Sequence, residues 1–156
     1  MLIFINGSIN SGKTTTSKVL AEKLGAEFLD FDKLADDIPN FSLKKDIPKV
    51  IQKGIEEINR LNAEGKDVVA NYVVRAKDYE KLMNELRTKD MYFFTLAPRL
   101  EVAQSDRGRD LNDWQIERIK YHYDTGVARP TFGEIIDNSD LSVDETVAEI
   151  LNHIKK

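Results

Sequence analysis

Residues 2–24 restrict the possible folds of this chain more than any other stretch. Leu2 to Ile5 form a short, wholly apolar run that reads as a strand buried on both faces. "GSINSGKTTT" (7–16) follows at once. It places Gly7, Gly12, Lys13 and Thr14 at every fixed position of G-x-x-x-x-G-K-[ST]. "KTTTSKVLAEKL" (13–24) then reads as a helix with Val19, Leu20 and Leu24 on one side, stopped by Gly25. Strand, glycine turn and helix are the context in which this spacing cradles phosphate. Gly7 and Gly12 permit backbone angles that side chains forbid. Successive N–H groups of residues 8–14 can then turn inward as an anion nest, and the helix N-terminus adds partial positive charge. The expected ligand is ATP with Mg²⁺ over residues 7–15, which include Asn10, Ser11 and Thr15. Lys13 would meet the β- and γ-phosphates and the Thr14 hydroxyl would ligate the metal.

The rest of the chain repeats the alternation. Strand candidates lie at 27–31, 67–73, 91–96 and 133–137. Between and after them are helical patterns at 48–63, 76–87, 112–123 and 142–154, the last opened by Ser142 and Glu145 as a capping box. Apolar strands alternating with helices predict an α/β fold, a parallel sheet covered on both faces. At 156 residues, with no repeat or linker, the chain reads as one domain. A net charge of -4 argues against long nucleic acids as partners, and no apolar run approaches a membrane span. The first apolar run lacks a basic preceding region and is needed as a strand, so it is not read as a signal peptide. The absence of cysteine excludes disulfides and thiolate chemistry and fits a cytoplasmic protein.

Ligands of such sheets sit beyond the carboxyl ends of the strands, which directs attention to four places. After the second strand, "FLDFDKLADD" supplies Asp30 and Asp32. One would serve the Mg²⁺ shell and the other would orient or deprotonate a substrate hydroxyl. The competing role for Asp32 is capping a helix that begins at Lys33. Near the end of the third strand, Asn71 and Arg75 are candidate substrate contacts, although Arg75 also suits the start of a surface helix. "SDRGRD" places Arg107 and Arg109 around Gly108, a pattern fit for a lid over about 105–113 whose guanidinium groups meet the transferring phosphoryl; Asp106 and Asp110 are competing local partners. The broken stretch beyond Asp36, with Pro39 and Pro48, suits a substrate cover over about 36–60. His122 reads as a helix-face residue, His153 as a surface residue, and Trp114, Tyr121 and Tyr123 as packing.

On these residues the chain resembles the small P-loop kinases of the shikimate kinase, gluconate kinase and chloramphenicol phosphotransferase group. "FLDFDKLAD" resembles the D-x-D after the second strand of shikimate kinases. That resemblance implies Asp30 in the metal shell and Asp32 on the reacting hydroxyl. "SDRGRD" resembles the arginine-bearing lid, and "IIDNSDLSVDETVAEIL" resembles the last strand and helix, whose connecting loop about Asn138 lines the adenine. The resemblance implies a three-layer sandwich around a five-stranded parallel sheet in the order 2-3-1-4-5. Two departures stand out. "ANYVV" replaces the glycine pair after the third strand of shikimate kinases, and "NFSLKKDIPKVIQKG" holds no counterpart of their substrate-binding arginine.

The resulting expectation is an ATP-dependent phosphotransferase that uses Mg²⁺ and acts on a hydroxyl of a small molecule. The alternatives are a nucleoside or nucleotide kinase and a regulatory ATPase without a small-molecule acceptor. The acceptor and the oligomeric state are left open by the sequence.

Overall fold

A computed structural model describes residues 1–155. The chain runs β1 (Leu2–Gly7), α1 (Lys13–Leu24), β2 (Glu27–Asp30), α2 (Phe31–Leu34), a 3₁₀ turn (Ala35–Asp37), α3 (Ile47–Ala63), β3 (Val68–Tyr72) and α4 (Ala76–Glu85). It continues through β4 (Met91–Leu96), α5 (Leu100–Ala103), α6 (Asp113–Asp124), β5 (Glu134–Ile136) and α7 (Val143–Ile154). The five strands form one sheet in the order β2-β3-β1-β4-β5, and every pair is parallel.

The central strand explains why both faces must be covered. Side chains alternate along β1. Leu2 and Phe4 face a core made with α3, α4 and Phe31, while Ile3 and Ile5 face a second core made with Leu20 and Ala21 of α1 and Val147 and Ile150 of α7. Asn6 interrupts this apolar run at the carboxyl end of the strand. It is fully buried, its side-chain carbonyl accepts from Val74 N at 2.7 Å, and its amide donates to Thr95 Oγ1 at 3.0 Å. One side chain thus ties the ends of β3 and β4 across β1, beneath the loop at residues 7–12.

The strand expected at 27–31 stops one residue early, because Phe31 belongs to a helix. Its ring packs edge-on to Phe4 (5.3 Å between centroids) and lies 5.6 Å from Tyr72. Gly54 of α3 admits it, since a Cβ there would come within 2.0 Å of the ring. Burial of Phe31 turns the chain out of the sheet and into α2. The helix therefore begins before Lys33, and its N-cap is Asp30, which accepts from Asp32 N at 3.0 Å. Asp32 is not the cap; it sits inside the first turn.

Candidate active site

The loop from Ser8 to Gly12 connects β1 to α1 in a shape set by backbone. Gly12 has φ +95° and Asn10, though not a glycine, has φ +62°. A side chain at Gly7 would place its Cβ 2.3 Å from Ser11 Oγ. No side chain caps α1, and its first turn holds no acidic residue, so its leading N–H groups are left for a ligand. These features fit a phosphate chain. Asn138 acts as a buried strut here: its amide donates to the Ser11 carbonyl at 2.9 Å. Asn138, expected from the resemblance to belong to a loop that lines the adenine, thus has its side chain turned inward against the phosphate loop. Ser11 likewise keeps its hydroxyl buried, without a hydrogen-bond partner among the described residues.

Lys13 is 7% exposed and donates to the Ser8 carbonyl at 3.3 Å. Burial pushes its ammonium below the usual lysine range. Asp32 and Asp30 pull it back up, and Arg109 adds to the lowering. Asp32 is open to solvent at its edge, yet protein around the carboxyl raises its pKa above the ordinary aspartate value, with Lys13 opposing and Asp30 adding to the rise.

Two cavities meet at this pair. One, of about 430 Å³, is lined by Asn10, Gly12, Thr14, Thr15, Arg107 and Arg109. The other, of about 240 Å³, is lined by Leu43, Ile47, Tyr72, Arg75, Trp114 and Tyr121, among others. Lys13, Asp32 and Ile9 belong to both. The segment after α5 rests on the loop: Arg107 donates to the Asn10 carbonyl at 2.9 Å, while the Asn10 amide donates to the carbonyls of Ala103 (2.8 Å) and Ser105 (2.9 Å). Arg109 lines the first cavity, Arg107 is held by the Asn10 carbonyl, and neither pairs with a carboxylate among the described residues; Asp106 accepts from Gly108 N instead.

Mg²⁺ takes few protein ligands and completes its octahedron with phosphate oxygens and water. Thr14, with its hydroxyl, lines the larger cavity, and no cluster of three acidic or imidazole ligands occurs among the described residues. That donor set fits a cation held largely by a nucleotide. Asp30 commits one carboxylate oxygen to capping α2.

Other expected contacts fall differently. Asn71 is fully buried within β3 and does not line the acceptor-side cavity. Alternation explains it: Asn71 shares the α1 face of the sheet with Val69, whereas Tyr72 faces the cavity side. Arg75 does line that cavity, but its guanidinium donates to the buried Asp78 at 2.8 Å, and the same carboxylate accepts from Arg75 N at the start of α4. Of the segment expected to cover the acceptor, Leu43 and Ile47 reach the cavity, while Val50 to Leu61 form the core face of α3.

Two side chains expected to serve packing, Trp114 and Tyr121, and the helix-face His122 fall at this site. Trp114 and Tyr121 are 54% and 51% exposed and form part of the cavity wall. His122 is buried, and its Nδ1 lies 2.7 Å from Ser8 Oγ. Burial, with Arg118 and Lys13 nearby, pushes its pKa down to about 4. The available signal was its position three residues after Ile119, on the buried stripe of α6.

No family model matches the chain. It is 28% identical over 165 residues to a shikimate kinase of Sulfurihydrogenibium sp. (strain YO3AOP1), covering 99% of this chain and 98% of that protein. Among solved structures it is similar to a gluconokinase from Sinorhizobium meliloti 1021 (TM-score 0.72, 18% identity, 98% of this chain and 90% of that one). It is also similar to a shikimate kinase from Acinetobacter baumannii in complex with shikimate (TM-score 0.69, 19% identity, 99% and 92%). A sugar kinase from Janibacter sp. HTCC2649 superimposes with TM-score 0.73 at 14% identity, over 99% and 94%. The structural likenesses establish the fold.

Proposed function

We propose, from the premise that the chain is a small P-loop kinase of the shikimate kinase and gluconate kinase group, that it transfers the γ-phosphoryl of ATP to a hydroxyl of a small molecule. The observation that carries the reading is the pair of cavities joined at Lys13 and Asp32. A regulatory ATPase needs only the first cavity; a transferase needs a second one, open to the same phosphoryl group.

Each side chain has a role that follows from its place. The loop N–H groups and Thr14 bind the phosphates of ATP in the larger cavity. Asp32 orients the acceptor hydroxyl and takes its proton as the hydroxyl oxygen bonds to the γ-phosphorus and the bond to the β-bridging oxygen breaks, releasing ADP. Its raised pKa leaves it a better base than an ordinary aspartate. Lys13 offsets charge on the transferring group, and Arg109 closes over it from the lid. Mg²⁺, held through Thr14, would neutralise charge on the β- and γ-phosphates. The single domain, a mobile lid about 105–113 and a cytoplasmic setting where ATP is plentiful are part of the same proposal.

The test is ADP release measured across a panel of hydroxylated metabolites, beside ATP binding measured alone. Turnover that rises only with an acceptor supports the reading. ATP hydrolysis at one rate regardless of acceptor would return the chain to the regulatory class.

A further inference from the structure

The smaller cavity holds a stripe that phosphoryl transfer does not explain. Trp114, Arg118 and Tyr121 stand at i, i+4 and i+7 on α6, so they share one helix face. All three line the cavity. Large apolar side chains this exposed are few in the molecule, and three of the four, Leu43, Trp114 and Tyr121, border this one cavity. Ile47 and Tyr72 extend the apolar wall from α3 and β3. A cavity for a polyol would be lined instead by amides, hydroxyls and carboxylates able to pair with each hydroxyl.

The charges in the cavity are equally specific. Lys13 faces the phosphoryl group and Arg75 is held by Asp78. Arg118 has no carboxylate partner among the described residues; its guanidinium lies 4.8 Å from the Tyr121 ring centroid. An arginine stacked on an aromatic ring keeps its fork of donors free for an anion. The volume, about 240 Å³, sets the size. An apolar cavity of about 150 Å³ accommodates benzene, so this one has room for a single ring with small substituents and not for a nucleotide.

We infer that the acceptor is a single-ring, flat and largely apolar molecule that carries its reactive hydroxyl toward Asp32 and a carboxylate or similar anion toward Arg118, with the ring against Tyr121 and Trp114. This rests on the transferase reading above, and deepens it by excluding polyol acids and nucleotides as the preferred class.

Trp114 is the single tryptophan of the chain and lines this cavity, so its emission, read against the baseline with ATP analogue already bound, reports occupancy. Four probes are titrated against protein saturated with ATP analogue: 4-(hydroxymethyl)benzoate, benzyl alcohol, shikimate and adenosine monophosphate. The aromatic acid should change Trp114 emission at a concentration at least tenfold lower than shikimate or the nucleotide. Arg118→Gln should weaken the aromatic acid tenfold or more and leave benzyl alcohol unchanged, whereas Tyr121→Ser should weaken both. Unaltered ATP binding by each variant shows that it has folded. Shikimate or the nucleotide binding as tightly as the aromatic acid, no response to either ring probe, or an Arg118→Gln variant that keeps the acid-to-alcohol ratio would each overturn the inference. ADP release on the same samples separates the two claims. Binding in the expected order without any acceptor-dependent ADP defeats the transferase reading and leaves the ligand class standing. ADP release driven by shikimate and not by the ring probes defeats the ligand class and leaves the transferase reading intact.

Discussion

The two walls of the site are made in different ways. The proposed nucleotide side is one contiguous loop, residues 7–15, whose shape comes from left-handed backbone at Asn10 and Gly12 and from the missing side chain at Gly7. The proposed acceptor side is assembled from side chains on separate segments: Asp32 on α2, Leu43 and Ile47 before and at the start of α3, Tyr72 on β3, and Trp114, Arg118 and Tyr121 on α6. A backbone cradle recognises what all nucleoside triphosphates share. A wall of side chains can be refitted to a new acceptor without disturbing the loop.

That contrast can be broken most forcefully at the point where the walls meet. Lys13→Ala should lower turnover on the order of a thousandfold while leaving the melting temperature and far-ultraviolet spectrum near wild type, since Lys13 bonds the loop carbonyl of Ser8 and belongs to neither core cluster. Normal turnover in a folded variant would remove the loop from the chemistry.

Asp32→Asn comes next, with transfer falling about a hundredfold and ATP affinity nearly unchanged. The variant also has a signature in stability. The folded pKa of Asp32 is raised, so its contribution to stability is present below the unfolded value and is lost as pH rises through the folded one. At neutral pH the ionised carboxylate opposes folding, and Asn removes that opposition. Thermal melts at pH 7 should therefore show Asp32→Asn at or slightly above wild type. A clear fall would make Asp32 structural.

The lid arginines sharpen the comparison further, because they differ from one another. Arg109→Ala should lower kcat by about tenfold or more with little change in the KM for ATP, the pattern of a contact made in the transition state. Arg107 grips the Asn10 carbonyl, so Arg107→Ala should chiefly raise the KM for ATP. Steady-state kinetics on both variants decides whether the two guanidinium groups share one task.

These contrasts also explain what was legible in the sequence. A backbone loop has fixed spacing, so Gly7, Gly12, Lys13 and Thr14 could be read directly, as could the alternation of Leu2–Ile5 that demands two covered faces. Asp32 was legible through its place after a strand, but not as an internal helix residue, because burial of Phe31 against Gly54 is a tertiary event. Asn71 was misassigned for want of the strand's phase: one residue's shift in β3 moves a side chain from the cavity face to the α1 face. Trp114 and Tyr121 looked like core because their spacing suits a helix stripe, and spacing does not say whether that stripe meets protein or an open cavity. Asn6 and Asn138 bind through contacts across 68 and 127 residues of sequence, which no local pattern encodes.

A further effect, on stability and not on turnover, concerns His122, which links α6 to the loop through Ser8. Its pKa falls from 6.5 to about 4 in the fold. A depressed histidine contributes stability above its unfolded pKa and loses it as pH drops through the folded one. Between pH 6.5 and about 4 wild type should therefore lose on the order of 3 kcal/mol that His122→Asn does not lose. Urea midpoints at pH 7 and pH 4.5 for both proteins would show it, and parallel losses would mean that His122 stays neutral in both states or is charged in both.

The central claim is that one phosphoryl group passes from the backbone-built wall to the side-chain-built wall across Lys13 and Asp32. ATP labelled in its γ-phosphoryl, incubated with Mg²⁺, the protein and an acceptor found by the panel, tests this most directly. The account predicts the label in a phosphate ester of the acceptor, in amounts equal to the ADP formed, and nearly absent with Asp32→Asn. Label appearing only as inorganic phosphate, at a rate indifferent to the acceptor and to Asp32, would contradict it.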